Sequence, residues 1–264
     1  MEPGIVAEIR AQLRSLEASH GVGIPIAVES GSRAWGFPSP DSDYDCRFIY
    51  LCSQERMYSI FPRRDVIELP LTEVFDINGW ELAKALRLLL AGNAIVYEWL
   101  QSPHCYVRND AAWQMLHGFA EEVFDRDAAR RHYFYLLRSQ IEKHIGDRAA
   151  IAVKKLFYVL RPAMALRYLR HNPGPGLVPM DFSSLCAGAS VPLGLMEIIN
   201  DMLARMAVTR ELGTTTAPPE LLAFGIGELE LARTVSPVRL EASPELRRKA
   251  DALHIEMIRQ FAPR

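Results

Sequence analysis

The stretch from Glu29 to Tyr50 reads ESGSRAWGFPSPDSDYDCRFIY, and its punctuation decides the architecture of the front of the chain. Upstream, Ile24–Val28 is a short apolar run bounded by Gly21 and Gly23, the pattern of a buried strand. Gly31-Ser32 follows it directly. Glycine lets the backbone turn with dihedrals closed to other residues, and a serine after it offers an N–H and a hydroxyl to a phosphate. Pro38, Ser39 and Pro40 then mark a loop, and Tyr44–Leu51 is strand-like again, rich in aromatic and β-branched residues. Asp43 and Asp45 stand two apart at the head of that strand, so both carboxylates and Arg47 project to one face. Hard divalent cations such as Mg²⁺ or Mn²⁺ are held by one or two carboxylates plus substrate phosphates. A phosphate-holding turn facing paired carboxylates is the minimal equipment for metal-assisted phosphoryl or nucleotidyl transfer.

Working outward, Val6, Ile9, Leu13 and Leu16 recur at helical spacing before the first strand. Val66–Leu69 and Leu71–Ile77 read as two further strands, with Thr72, Val74 and Asp76 alternating onto one face. Asn78, followed three residues later by Glu81, resembles a capping box, and the spacing predicts a helix over Gly79–Leu90. Helical patterns dominate thereafter: Ala94–Gln101, Asp110–Phe124, Ala128–Ile145, Ala149–Leu169, Leu193–Val208 and Pro244–Phe261. His171–Met180, HNPGPGLVPM, is the clearest linker. The patterns give a small α/β front part and a helical rear part, with the boundary between Leu100 and Asp125. Together with the resemblance set out below, they make the expected fold class α+β: a mixed sheet with flanking helices over residues 1–108, then an α-helical domain over 109–264.

Composition limits the alternatives. Of 264 residues, 49% are hydrophobic and 23% charged, which excludes a disordered or low-complexity chain. Thirty Lys+Arg against 32 Asp+Glu leave a net charge of −2, so nucleic acid would have to be gripped by a local basic patch. No run of about 18 uncharged apolar residues is present, so no membrane partner is expected. The start of the chain, with Glu2 and Glu8, lacks a signal-peptide pattern, and four scattered cysteines suggest neither disulfides nor zinc. The expected location is the cytoplasm. P-loop, dinucleotide-binding and hydrolase-elbow motifs are absent.

Gly31-Ser32 followed by Asp43-x-Asp45 resembles the DNA-polymerase-β-type nucleotidyltransferase superfamily. The fuller string GSRAWGF…SDYDCRFIY, with DINGWELAKALRLLL (Asp76–Leu90), NAIVYEWLQSP (Asn93–Pro103) and KKLFYVLRP (Lys154–Pro162), resembles the RNA-ligase-associated polymerase-β-like proteins, the YcgL-like or RlaP family. Pro179–Phe182 with Leu185 is a weaker match, and the resemblance runs from Ile26 to Leu185, about three-fifths of the chain.

The resemblance implies an enzyme that transfers a nucleoside monophosphate from an NTP, ATP being the expected one, to a hydroxyl. The acceptor is left open between an RNA end, a protein side chain (AMPylation of the antitoxin kind) and a small molecule. A non-catalytic nucleotide-binding regulatory module is the rival reading. The resemblance assigns metal binding and catalysis to Asp43, Asp45 and a third carboxylate, Asp76, with Glu68 as competitor. The plain alternatives are a polar turn for the first two and a helix-start acid for Asp76. Nucleotide binding falls to Gly31, Ser32, Arg33 and the helix carrying Lys154, Lys155, Tyr158 and Arg161, whose basic residues could equally be an outer face. Either lysine could be the triphosphate cation. Arg47 would contact phosphate or neutralise the carboxylates. Trp35, which stands where many minimal nucleotidyltransferases carry Arg, is read as core with Trp80 and Trp99. His132 is a weak substrate-side candidate.

Overall fold

Eighteen residues open the chain as α1 (Pro3–His20), with proline at the helix start, where its missing N–H costs nothing, and Gly21 ending it at φ +58°. The computed structural model describes residues 1–61, 63–145, 151–208, 214–234 and 241–263. After α1 come β1 (Val22–Glu29), α2 (Gly31–Trp35), β2 (Tyr44–Cys52), α3 (Gln54–Met57), β3 (Val66–Glu68), β4 (Phe75–Glu81), α4 (Leu82–Leu90), α5 (Ala94–Trp99) and β5 (Cys105–Arg108). The rest is α6 (Asp110–Val123), α7 (Arg126–His144), β6 (Ile151–Ala152), α8 (Val153–His171), α9 (Phe182–Gly188), α10 (Leu193–Val208), β7 (Thr214–Thr215), α11 (Pro219–Leu231) and α12 (Pro244–Phe261).

The main sheet runs β3-β4-β2-β1-β5. It is mixed: β2 and β4 are parallel, and the other pairs antiparallel. The fold class is therefore α+β, as expected. α1 covers one face through Ile9 and Leu13 against Ala27, Phe48 and Ile77. α4, α5, α6 and α12 cover the other, with Leu86, Leu116 and Met257 packing on Ile26 and Ile49. Thus α6 and α12, both C-terminal to the expected boundary at 108/109, lie on the sheet. A second core forms around α8, where Phe157, Leu160 and Met164 are fully buried among α7, α9, α10 and α11. No described helix is long and apolar enough to cross a membrane.

Three local expectations are corrected. The segment Leu71–Ile77 is not a strand throughout, because the Thr72 hydroxyl accepts from Val74 N and Phe75 N and turns the chain, so β4 starts at Phe75. Nor does Asn78 start a helix. Asn78–Glu81 continue the ladder opposite Arg47–Tyr50, and the helix begins at Leu82. Inter-strand hydrogen bonds on both sides outweigh one local cap. Gly79 fits the strand because a Cβ there would lie 2.2 Å from the Phe48 ring. Of the predicted helix Ala149–Leu169, residues 149–150 lie outside the described residues, Ile151–Ala152 pair with β7, and α8 starts at Val153.

Candidate active site

The parallel pairing of β2 with β4 sets Asp45 opposite Asp76. Arg47, on the same face, donates from Nη2 to Asp45 Oδ1 at 2.9 Å and to Asp76 Oδ2 at 2.6 Å, so one guanidinium bridges both carboxylates. It also reaches the Asp76 carbonyl at 2.7 Å, while Asn78 Nδ2 donates to Asp76 Oδ1. Asp43 is half-buried just ahead of β2. Burial pushes the Asp45 carboxyl up to about 6. Arg47 opposes the shift, and the charges of Asp43 and Asp76 add to it. Glu68, the competitor, lies on the far side of β4 and is paired with Arg64 on the surface.

The turn after β1 is tied to this cluster. Ser30 N donates to the Asp45 carbonyl at 2.8 Å, and Gly31 sits at φ +60° with the Asp45 side chain where its Cβ would be. Ser32 and Arg33, expected to meet phosphate, hold the neighbouring loop in this structure. Ser32 is buried and its hydroxyl donates to Ser42 Oγ at 3.1 Å. Arg33 donates to the carbonyls of Ser42 and Asp43, at 2.5 and 3.0 Å, and stacks on Tyr44. Both fix the loop that delivers Asp43.

Beyond the turn, Trp35 and Phe37 insert into the α8 core. Phe37 lies 5.1 Å from Phe157, and Trp35 meets Tyr158 edge-on at 5.9 Å. Lys154, in the first turn of α8, is buried and its charge acts on Asp45. Lys155 lies over the Tyr158 ring at 4.8 Å. Between the two lysines, then, Lys154 is the one coupled to the carboxylates. Arg161, expected as a phosphate ligand, is 3% exposed, pairs with Glu98 at 2.9 Å, donates to the Met180 carbonyl and lies under Trp35. Tyr133 completes that buried network by donating to Glu98. A buried guanidinium needs such partners, and they come from segments far apart in sequence.

Asp45, Arg47 and Gly31 open on a cavity of about 860 Å³, walled on its other sides by α7 and α8. Trp80 and Trp99 pack on each other 4.3 Å apart, and among the three tryptophans Trp35 alone lines the cavity. His132 lines it too, and burial lowers its pKa.

Sequence reasoning missed Glu29. This last residue of β1 is fully buried. It accepts from Asp45 N at 3.0 Å and from the Tyr106 hydroxyl, and so positions the base of β2. Burial outweighs both donors and raises its carboxyl from 4.5 to about 7. The folded state therefore holds a proton that the unfolded chain releases, and wild-type stability falls as pH rises from about 4.5 to 7. Glu29→Gln removes that loss. Relative to wild type it should gain up to about 3 kcal/mol between pH 4.5 and 8, read by denaturant unfolding. An offset that does not change with pH would contradict this.

The donor set near Gly31 is all oxygen, which fits Mg²⁺ or Mn²⁺, and a cation there would relieve the repulsion that Asp43 and Asp76 add to the burial of Asp45. Among the described residues, however, no three His, Cys, Asp or Glu side chains already converge as a cation site. Arg47 lies between two of the carboxylates instead.

A mixed sheet with a Gly-Ser turn beside paired carboxylates, backed by helices, defines a polymerase-β-type nucleotidyltransferase fold. The chain belongs to the RNA repair pathway DNA polymerase beta family, RlaP, whose model matches residues 5–256. It is also 43% identical over 175 residues to the uncharacterized protein YcgL of Bacillus subtilis (strain 168). That match covers 66% of each protein, so the chain spans just under two thirds of the relative's length.

Proposed function

We propose that the protein is a divalent-metal-dependent nucleotidyltransferase that moves a nucleoside monophosphate from an NTP, ATP in the first instance, to a hydroxyl. An RNA end is the acceptor favoured by the family's description as an RNA repair pathway. The observation that carries this reading is the in-register pairing of Asp45 with Asp76, where Asp45 and Gly31 line a cavity large enough for a nucleotide.

Asp43, Asp45 and Asp76 would hold Mg²⁺, which supplies charge for the triphosphate and lowers the pKa of the acceptor hydroxyl. Gly31 lets the backbone approach the phosphates, and Lys154 adds positive charge next to Asp45. As the acceptor oxygen bonds to the α-phosphorus, the bond to the pyrophosphate oxygen breaks. The hydroxyl proton passes to Asp76, the more exposed of the two bridged carboxylates. Arg47 pairs the carboxylates beforehand, and leaving them on nucleotide binding frees its charge for phosphate.

That same bridge favours the second reading, a nucleotide-binding module without catalysis, in which Arg47 stays between the carboxylates. Calorimetry separates the two from the start. The enzyme reading expects ATP binding that needs Mg²⁺ and is lost in EDTA, because unscreened carboxylates repel a triphosphate. Equal affinity in both buffers would count against it. Incubation with labelled NTP, Mg²⁺ and total RNA, then with cell protein, would identify the acceptor.

A further inference from the structure

Buried polar atoms find partners in nearly all folded proteins, and each exception calls for an explanation. Among the described residues, Trp35 Nε1 and Gln140 Oε1 are two such exceptions, both shut off from solvent within the protein. Trp35 comes from the turn that follows β1 and Gln140 from α7, over a hundred positions later. Yet both residues line the cavity onto which Gly31 and Asp45 open. One orphan is a donor and the other an acceptor.

The acceptor is the more informative. A carbonyl oxygen repels phosphate, so whatever meets Gln140 Oε1 must donate a hydrogen bond. On an NTP the donors are amino or ring N–H groups of the base and the ribose hydroxyls. The surrounding wall is the kind a base occupies: Tyr135, Leu136, Tyr158 and Pro162 are aromatic or apolar. An amide sets an acceptor beside a donor. That pairing can be met by the exocyclic amino group and adjoining ring nitrogen of adenine, the base of the ATP proposed above as substrate.

We propose that Gln140 is the base-reading residue of this enzyme and selects adenine through its exocyclic amino group, while the Trp35 indole N–H satisfies an acceptor on the same nucleotide. The proposal rests on the nucleotidyltransferase reading and adds a specificity determinant to it.

The test uses the full chain in Mg²⁺ and compares, by calorimetry, ATP, purine riboside triphosphate (ATP without the amino group), GTP and inorganic tripolyphosphate. Wild type should bind ATP about 10-fold or more tighter than the analogue lacking the amino group. Gln140→Leu should erase that ratio and leave tripolyphosphate affinity unchanged. Gln140→Glu, which keeps an acceptor, should preserve the amino preference. If wild type binds all the nucleotides equally, the base assignment is overturned and the nucleotide site stands. The same conclusion follows if Gln140→Leu keeps the ATP preference. If wild type binds neither nucleotides nor tripolyphosphate, the nucleotidyltransferase reading fails and this one with it. The wild-type ratio decides the matter even if the leucine variant does not fold.

Discussion

Asp45→Asn is expected to turn over NTP at least about 10²-fold more slowly than wild type, with an apo melting temperature unchanged or higher. The two halves of this expectation have separate causes. Asn keeps the shape of the side chain, but it removes a negative charge from the place where charge must be balanced during transfer. Without metal, the same charge is a burden: it is partly buried and faces Asp43 and Asp76. Its loss leaves Arg47 still paired with Asp76 at 2.6 Å, so no cation is orphaned. Asp43→Asn should follow the same direction. Had these residues only a turn or capping role, the pattern would invert, with about 1 kcal/mol of stability lost and turnover untouched. Melting without metal and turnover with Mg²⁺, measured on the same preparations, separate the two. Lower melting with normal turnover would end the catalytic reading.

How far the sequence could carry such an argument depended on where each residue's partner lies. β1 and β2 were legible because apolar and β-branched runs between glycines have few other uses. That Asp45 and Arg47 share a face was legible because alternation along a strand is a local property. β4 was partly misread: Asn78 and Glu81 carry a local cap signal, and only the neighbouring strands overrule it. β5 is four residues long, and α11 contains two glycines and no clean polar face, so neither gave a periodicity to detect. In the site, charge type was a poor guide to role. Arg33 and Arg161, expected as phosphate ligands, have carbonyl and carboxylate partners that their sequence positions do not mark. Glu29 and Gln140 gave no signal, since one polar residue at a strand end or on a helix is ordinary. Their meaning comes from burial beside a strand N–H in one case and from an unmet oxygen in the other.

Gly31→Val is expected to abolish measurable NTP binding, raising Kd by about 10²-fold or more, and to lower the melting temperature. In the structure its Cβ would lie 1.9 Å from Asp45 Oδ2 and 2.8 Å from Cγ, distances no real contact tolerates. Either Asp45 swings off Arg47, or the turn moves and breaks the Ser30 N bond to the Asp45 carbonyl. The first response displaces a carboxylate, and the second displaces the turn backbone that would approach the phosphates. A branched residue at φ +60° adds a strain of about 1–2 kcal/mol or more, so lost binding could be mistaken for general unfolding. Gly36→Ala resolves this. Gly36 lies in the same loop at φ +90°, and a Cβ there meets nothing within 4 Å. That variant carries the backbone strain without the encroachment. It should lose stability and keep the wild-type Kd for ATP once measured below its melting range. If Gly36→Ala loses binding as fully as Gly31→Val, then loop strain is what binding senses, and the close packing of Gly31 on Asp45 has no special part in holding the nucleotide.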